Sequence, residues 1–136
     1  MSTQDRRDRG QALVEFSLAI PIFLLMLVAV FDLGKGIYMY NGVAEAAREL
    51  SRTTSLNLGS PVGTSAATTD AIATARSITP DLGTPTFTCS DLYGISAGCT
   101  SGNWVGVTVT ASYRPLSFLG MLAPVTLSST SSAQIP

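Results

Sequence analysis

The stretch that decides the fold of this chain is GQALVEFSLAIPIFLLMLVAVFDL, residues 10–33. Its apolar part, residues 12–33, numbers 22 residues, which at about 1.5 Å per helical residue reach about 33 Å and can cross a hydrocarbon core of about 30 Å. A cleaved secretory signal, the competing interpretation, needs an apolar core of only about 7 to 15 residues followed by a small-x-small cleavage site. This run is too long and residues 30–32 offer no such site, so we expect a single membrane span.

The charges on either side of the span predict its orientation. Arg6, Arg7 and Arg9 precede it, whereas Asp32 and Lys35 at its far end balance each other. Because basic residues are retained on the cytoplasmic side of a membrane, the N-terminus should be cytoplasmic. Everything after about Lys35 should then lie outside the cytoplasm.

Charged side chains are scarce in the rest of the chain. The 136 residues include 8 basic and 9 acidic ones, 12% in all, which is about half the usual fraction for a soluble domain. Only five of these 17 charges fall in residues 53–136, where 28 of the 84 residues are Ser or Thr. Such a neutral, hydroxyl-rich composition suits β-structure or flexible surface outside the cell. The net charge of −1, without a long basic patch, gives no basis for a nucleic-acid partner.

The residue inventory leaves little chemistry available. The chain has no histidine, which excludes histidine-based acid–base catalysis and histidine-containing metal sites. Its two cysteines are too few for a thiolate metal site, and no glycine-rich phosphate loop occurs. The isolated carboxylates Asp70, Asp81 and Asp91 suit surface or capping roles. We therefore expect no enzyme, no catalytic residue, no metal site and no cofactor.

Two residues stand out within the apolar run. Glu15 is costly there, and a carboxylate in such a position normally has a function and a partner. The alternative is that Glu15 lies near the cytoplasmic interface and reaches into the lipid headgroups. Pro21 lacks a backbone donor and clashes with the preceding turn, so the helix should kink or locally unwind there. The proline is either one that a membrane helix tolerates or a functional hinge.

A second helical pattern follows the span. Four apolar residues share one helical face at spacings of i, i+3, i+4 and i+7, namely Val43, Ala46, Ala47 and Leu50. We expect this apolar stripe to pack against its own domain, the alternative being a neighbouring subunit. Gly34 and Gly36 should loosen the helix before it, and the sequence Gly-Ser-Pro at residues 59–61 should end it.

Periodicity further along the chain predicts one short helix and three strands. The helix should cover residues 69–77, ended by Pro80, and strands should cover residues 84–90, 104–113 and 125–133. Three residues of the short helix should face inward, namely Ala71, Ile72 and Ala75. The strand at 104–113 alternates most cleanly, with five side chains on one face: Val105, Val107, Val109, Ala111 and Tyr113. The expected fold class is α+β, a long N-terminal transmembrane helix followed by a small extracytoplasmic domain with a short antiparallel sheet.

Cys89 and Cys99 enclose a turn-rich stretch that contains Gly94 and Gly98. If both thiols lie outside the cytoplasm, a disulfide between them is the simplest interpretation. A disulfide that closes a ring of about ten residues should stabilise the fold by about 2 to 3 kcal/mol. One alternative is two free buried cysteines. The other is a redox-active pair, which the spacing favours less because it is not CxxC.

The residues around Glu15 resemble a known signature. A charged leader ends at Arg9 and Gly10, and an apolar helix follows with Glu15 as the fifth residue after that glycine. This order resembles the N-terminus of type IV prepilins. The longer stretch, which continues through Pro21 to the sequence AEAAR at residues 44–48, is similar to the TadE-like pseudopilins of the bacterial tight adherence (Flp) pilus system. The resemblance is specific over residues 9–52 and weaker at residues 113–116 and in the final Ser/Thr-rich strand.

The resemblance implies processing at the N-terminus. A membrane-embedded prepilin peptidase would cut between Gly10 and Gln11 and leave a new amine on Gln11. Glu15, four residues later on the same helical face, could pair with that amine or with the amine of a neighbouring subunit. The chain departs from the tight adherence pilins at Phe16, where they usually carry tyrosine.

The implied organisation is a basic leader at residues 1–10, a transmembrane helix at 11–33, an amphipathic helical extension at 34–58 and a Ser/Thr-rich outer domain at 59–136. The implied function is that of a minor pilin or pseudopilin in tight adherence pilus assembly or a related secretion filament. The protein would cross the bacterial cytoplasmic membrane once, with its outer domain periplasmic or extracellular. Its partners would be membrane lipid, the prepilin peptidase, other pilin or pseudopilin subunits and the assembly machinery. The alternative is a single-pass anchor that displays a binding domain and does not polymerise.

Overall fold

The computed structural model describes the backbone of residues 3–115 and 123–136, and the side chains of residues 10–115 and 123–136. The elements in chain order are α1 (Thr3–Leu56), α2 (Ala66–Ile78), β1 (Thr86–Ser90), β2 (Trp104–Tyr113) and β3 (Val125–Gln134). Internal contacts divide the chain into two compact units, Met1–Lys35 and Gly36–Pro136. The expected α+β fold is confirmed, since a long N-terminal apolar helix precedes a small domain with a three-stranded antiparallel sheet and a short helix.

The first unit consists of the N-terminal part of α1. Within Gly10–Leu56, the helix has an 18-residue window with a mean hydropathy of 2.5, none of which is buried. By length and composition it is the one helix in the described part of the chain that could cross a membrane. Pro21 lies inside this helix, and the kink there stays a prediction. The leader arginine side chains lie outside the described residues, as does Leu116 of the C-terminal pattern.

The expected loosening at Gly34 and Gly36 is wrong, because α1 continues through both residues without a break. A single glycine in a helix interior costs about 1 kcal/mol relative to alanine. Since helix propagation is cooperative, the hydrogen bonds formed on both sides of the glycines outweigh a cost of this size. The helix ends at Leu56, before the expected Gly-Ser-Pro sequence at residues 59–61, where Gly59 takes a φ of 71°.

The sheet has the order β1–β2–β3, and both neighbouring pairs are antiparallel. β2 is central and pairs along its whole length with β3, from Trp104 opposite Gln134 to Tyr113 opposite Val125. β2 has the predicted bounds, and β3 is one residue longer than expected. β1 begins two residues later than expected, at Thr86, because Pro85 has no N–H with which to join the ladder.

The main core lies between α1 and one face of the sheet. This is the face that the alternation of apolar residues in β2 predicts to be buried. Val107 and Val109 are completely buried there, whereas Val105 on the same face is buried in a second, smaller cluster. The apolar stripe of α1 packs on this face, and each of its four side chains is at most 6% exposed. The stripe therefore packs against its own domain, as expected, and not against a neighbouring subunit.

α2 begins at Ala66, three residues before its expected start, because Ser65 caps it. The Ser65 hydroxyl accepts a hydrogen bond from the Thr68 N–H at 3.2 Å, which satisfies one of the free donors of the first turn. Thr68 is fully buried, and its hydroxyl lies 3.4 Å from that of Thr54 on α1. Three side chains of α2 pack against the core as predicted, namely Ala71, Ile72 and Ala75.

Candidate functional site

Gly10, Gln11 and Glu15 lie together at the start of the apolar part of α1. The helical spacing of four residues puts Gln11 and Glu15 on the same face. The Gln11 Nε2 donates a hydrogen bond to the Glu15 Oε1 at 3.3 Å, and both side chains are exposed. A Cβ placed on Gly10 would meet nothing within 4 Å, so the backbone before Gln11 is open on the side where a side chain would stand.

Glu15 carries its charge within an apolar surface. Leu13, Phe16 and Leu18 around it are 65% to 70% exposed. The neutral amide of Gln11 satisfies one lone pair of the carboxylate, and no positive side chain among residues 10–115 and 123–136 forms an ion pair with it. In surroundings of low dielectric such a charge is stable only with a positive partner or with water. The geometry therefore leaves Glu15 suited to bind a cationic group.

The helix between Glu15 and Pro21 carries a second polar feature. Because Pro21 has no N–H, the carbonyl of Ser17, four residues earlier, receives no helical hydrogen bond from it. The hydroxyl of the same residue, Ser17, donates a hydrogen bond to the Val14 carbonyl at 2.8 Å, one turn earlier in the helix. The hydroxyl is thus satisfied within the helix, whereas the Ser17 carbonyl lacks the hydrogen bond that a residue other than proline would donate from position 21.

The apolar surface of this helix is continuous. From Leu13 to Leu33 its large side chains are 36% to 71% exposed in the described chain. Contiguous apolar surface on this scale marks contact with lipid or with other protein. Pro21 lies within this surface, six residues after Glu15.

The cysteines form the expected disulfide in the second unit. Cys89 on β1 is bonded to Cys99, with their Cα atoms 5.3 Å apart. Cys89 is buried in a small apolar cluster with Val105 and Ile135. The alternatives of two free thiols and of a reduced redox pair do not describe this structure.

The loop closed by this disulfide has an apolar tip that the sequence did not reveal, made of three side chains that are 64% to 84% exposed: Leu92, Tyr93 and Ile95. The Asp91 Oδ1 accepts hydrogen bonds from the N–H groups of Tyr93 and Ile95, both at 2.9 Å. Asp91 thus has the capping role expected for it, and it orders the tip. The available signal was the occurrence of three large apolar residues within four positions, 92–95, inside the loop between the two cysteines.

A groove of about 250 Å³ runs between α1 and α2, lined by Glu45, Glu49, Thr74 and Ile78 among others. Its two carboxylates already have partners. Glu45 forms an ion pair with Arg48 at 3.5 Å, and Glu49 accepts a hydrogen bond from the Thr53 hydroxyl at 3.3 Å. The groove therefore offers apolar surface rather than an acid–base pair.

The comparisons with known proteins point to the N-terminal helix. Residues 10–52 match the family model of TadE-like proteins. The matched range contains Gly10, Gln11, Glu15 and Pro21 and extends through the apolar stripe of α1. No curated protein and no solved structure matches the chain.

Proposed function

We propose that this chain is a TadE-like protein of the tight adherence pilus system, a minor pilin or pseudopilin that takes part in pilus assembly, because its residues 10–52 match the family model of TadE-like proteins. The TadE-like family is associated with this pilus as a structural family rather than as enzymes. The proposed partners are membrane lipid, the prepilin peptidase, other pilin or pseudopilin subunits and the assembly machinery. The observation that carries the proposal is Glu15, a carboxylate on an exposed apolar helix whose hydrogen-bond donor among the described side chains is the neutral amide of Gln11, at 3.3 Å.

The first proposed step is removal of the leader. The peptidase hydrolyses the amide bond between the Gly10 carbonyl and the Gln11 nitrogen, and water supplies the atoms of the new carboxylate and amine. Gly10 favours this because it lacks a side chain and allows extended backbone to enter a narrow protease site. The open space around Gly10 supports access of this kind.

The second proposed step is charge pairing by Glu15. After cleavage, Gln11 carries a positive amine one helical turn from the carboxylate, so Glu15 binds this amine or that of a neighbouring subunit. An ion pair of this kind is stronger in the low-dielectric interior of a membrane than in water. The apolar surface from Leu13 to Leu33 then packs against lipid and neighbouring helices.

Mass spectrometry of the mature protein tests the first step. We expect a chain that begins at Gln11 when the peptidase is present and one with an intact leader when it is absent. Substitution Gly10→Val should block cleavage, whereas Gly34→Val, on the same helix and with nothing within 4 Å, should not. An intact leader in the wild type would contradict processing.

Co-purification with other pilus proteins tests the second step. Glu15→Ala should leave membrane insertion intact, or make it easier, and should abolish co-assembly. Glu45→Ala is the matched control, since Glu45 lies on the same helix but pairs only with exposed Arg48. Unchanged recovery of partners with Glu15→Ala would contradict the pairing.

The proposed location is the bacterial cytoplasmic membrane, crossed once. A single N-terminal apolar helix and the TadE-like segment fit a single-pass membrane protein. The disulfide between Cys89 and Cys99 supports an outer domain in the periplasm or outside the cell, because the cytoplasm keeps thiols reduced. Protease added to spheroplasts should degrade the outer domain and spare an N-terminal tag on a chain with an uncleaved leader.

The apolar tip of the disulfide loop favours a second candidate function. A monomeric anchor that displays a binding domain would use Leu92, Tyr93 and Ile95 as its contact surface. The two candidates differ in their response to substitution. Tyr93→Ser should abolish ligand binding by a display protein and leave it a monomer, whereas Glu15→Ala should affect only a protein that assembles.

A further inference from the structure

Three exposed side chains follow the apolar run of α1, at the start of the second unit. Ile37 is 54% exposed, Tyr38 64% and Tyr40 51%. Met39 between them is buried in the core, so the three side chains lie on the part of the helix surface that faces away from the domain. We call this surface, made of Ile37, Tyr38 and Tyr40, the tyrosine patch.

The residue types change where the patch begins. Residues 12–33 contain neither Tyr nor Trp, whereas two of the four tyrosines of the chain lie at positions 38 and 40. Residues 36–44 carry no charge, and Glu45 is the first charged residue after them. Tyrosine has an apolar ring with a polar hydroxyl, and membrane proteins are enriched in it where hydrocarbon meets water. The order of apolar run, tyrosine patch and charged helix is therefore that of a helix that leaves a membrane.

The patch lies at the end of the second unit that joins the apolar run. A Cβ placed on Gly36 would be 3.5 Å from the ring of Tyr113, the last residue of β2. The disulfide loop, with its exposed Tyr93, precedes Trp104, the first residue of β2. The loop tip and the tyrosine patch therefore lie at opposite ends of the central strand, so the tip of the same chain does not cover the patch.

The distance along the helix puts the patch at the level of the lipid headgroups. If residues 12–33 fill the hydrocarbon core, the Cα atom of Tyr38 lies about 8 Å beyond it, at about 1.5 Å per residue. The headgroup layer is about 5 to 7 Å thick on each side of the core. Side chains on a helix tilt towards its N-terminus, which here is the direction of the apolar run. The ring of Tyr38 therefore reaches back into the headgroup layer, and that of Tyr40 reaches its outer boundary.

The width of the patch favours lipid over a neighbouring helix. At about 100° per residue, Tyr38 and Tyr40 are about 160° apart around the helix, with Ile37 between them. A partner helix covers a narrow stripe of the helix that it contacts, whereas a lipid surface meets every side that the protein's own domain leaves exposed. A patch of this width, uncharged and with a hydroxyl at the end of each aromatic ring, fits the boundary between acyl chains and headgroups.

We infer that the tyrosine patch binds the lipid–water interface at the C-terminal end of the apolar run and so fixes the depth of α1 in the membrane. The inference rests on the proposed membrane crossing, but it depends neither on leader cleavage nor on pilus assembly, and it holds for either orientation of the chain. The rings pack against the upper acyl chains while the hydroxyls hydrogen-bond to headgroup oxygens or water. Because the patch is uncharged, it binds the interface of neutral lipid as well as that of anionic lipid.

Quenching of tryptophan fluorescence by brominated lipid tests the inference with the full chain. Tyr38→Trp and Tyr40→Trp each place a probe in the patch, and the emission of wild type, which comes from Trp104, is subtracted. The vesicles are phosphatidylcholine at a high ratio of lipid to protein, with bromine either next to the headgroup or near the end of the acyl chain. We expect the added tryptophan to be quenched several-fold more strongly by bromine next to the headgroup.

Two control variants on α1, with nearly the same exposure as Tyr38, separate the outcomes. Phe23→Trp, in the middle of the apolar run, should be quenched most by bromine near the chain end, and Leu56→Trp by neither lipid. Absence of quenching at Phe23→Trp would show that the helix does not cross the membrane, and the inference would fail with the proposed crossing. Quenching at Phe23→Trp but not at Tyr38→Trp would leave the crossing in place and overturn the inference alone.

Removal of both tyrosines tests whether the patch fixes the depth of the helix. In a chain that carries Phe23→Trp, the double change Tyr38→Ser and Tyr40→Ser should lower the ratio of chain-end to headgroup quenching by a factor of about two, because the helix can then slide along its axis. Tyr93→Ser, a change of the same type in the loop tip, should leave the ratio as it was. An unchanged ratio in the double variant would contradict a role of the patch in setting the depth.

Discussion

Gly42 of α1 lies directly against Thr79, the residue that closes α2. A Cβ placed on Gly42 would be 2.6 Å from the Thr79 hydroxyl oxygen, closer than such atoms can approach. Thr79 is only 4% exposed, and its N–H donates to the Ala75 carbonyl at the end of the helix. The end of α2 can therefore lie this close to α1 only because position 42 has no side chain.

Gly42→Ala should destabilise the second unit, although the same change in most helices is stabilising. The gain in helix propensity is about 1 kcal/mol, and a forced shift of packed side chains costs about 1 to 3 kcal/mol. We expect a net loss of up to about 2 kcal/mol, since the two effects oppose each other. Thermal unfolding in detergent, followed by Trp104 fluorescence, measures the change.

Two further variants isolate the contact. Gly36→Ala makes the same exchange on the same helix, but its Cβ would lie 3.5 Å from the Tyr113 ring, an ordinary contact. It should raise the unfolding temperature. Adding Thr79→Ala to Gly42→Ala removes the colliding oxygen, so the double variant should be more stable than the sum of the single changes. Additive effects would show that the oxygen is not the obstacle.

Ser65→Ala should destabilise the domain by about 1 kcal/mol, because the hydroxyl of an N-cap serine satisfies a free N–H of the first turn. The hydroxyl of Ser65 accepts from the Thr68 N–H and lies 2.7 Å from the Thr68 hydroxyl. Ser77→Ala in the same helix is the control. The Ser77 hydroxyl donates to the Thr74 carbonyl within the helix, so its loss should leave the unfolding free energy nearly unchanged.

Periodicity predicted the parts of the fold that burial alone determines. The alternation in β2 and the apolar stripe of α1 each pack one face on a single core, so their spacing in the sequence specifies their orientation. The long apolar helix was predictable from composition, since residues 12–33 contain only three polar residues, Glu15, Ser17 and Asp32. The Asp91 cap and the disulfide followed from residue type and spacing.

The features that the sequence did not reveal depend on contacts between distant residues or on single backbone groups. Gly42 and Thr79 are 37 positions apart, and no local pattern links them. Ser65 moved the start of α2 because a cap acts through one hydrogen bond and leaves no periodic signal. In the N-terminal site, motif spacing indicated Gly10 and Glu15. That the Gln11 amide is the immediate hydrogen-bond partner of Glu15 could be seen only from the side-chain positions.

Pro21→Ala should straighten the N-terminal helix. Alanine restores the N–H that can bond to the Ser17 carbonyl and removes the ring that crowds the preceding turn. In oriented bilayers, solid-state NMR should find an angle above about 20° between the helix axes of residues 12–20 and 22–33 in the wild type, and a smaller angle in the variant. Ala19→Ser, which leaves the backbone donors unchanged, is the control. Equal angles in wild type and Pro21→Ala would remove the basis for a hinge.

The disulfide and Asp91 should contribute to the loop in different ways. Replacing Cys89 and Cys99 together by serine opens the ring and should lower the unfolding free energy by about 2 to 3 kcal/mol. Asp91→Ala leaves the ring closed but removes the acceptor of two backbone N–H groups. We therefore expect Asp91→Ala to change global stability less than the double cysteine change, while it speeds amide exchange at Tyr93 and Ile95. Asp81 is an exposed aspartate outside the loop, so Asp81→Ala should leave amide exchange at Tyr93 and Ile95 unchanged. If these two amides already exchange fast in the wild type, the Asp91 carboxylate does not order the tip.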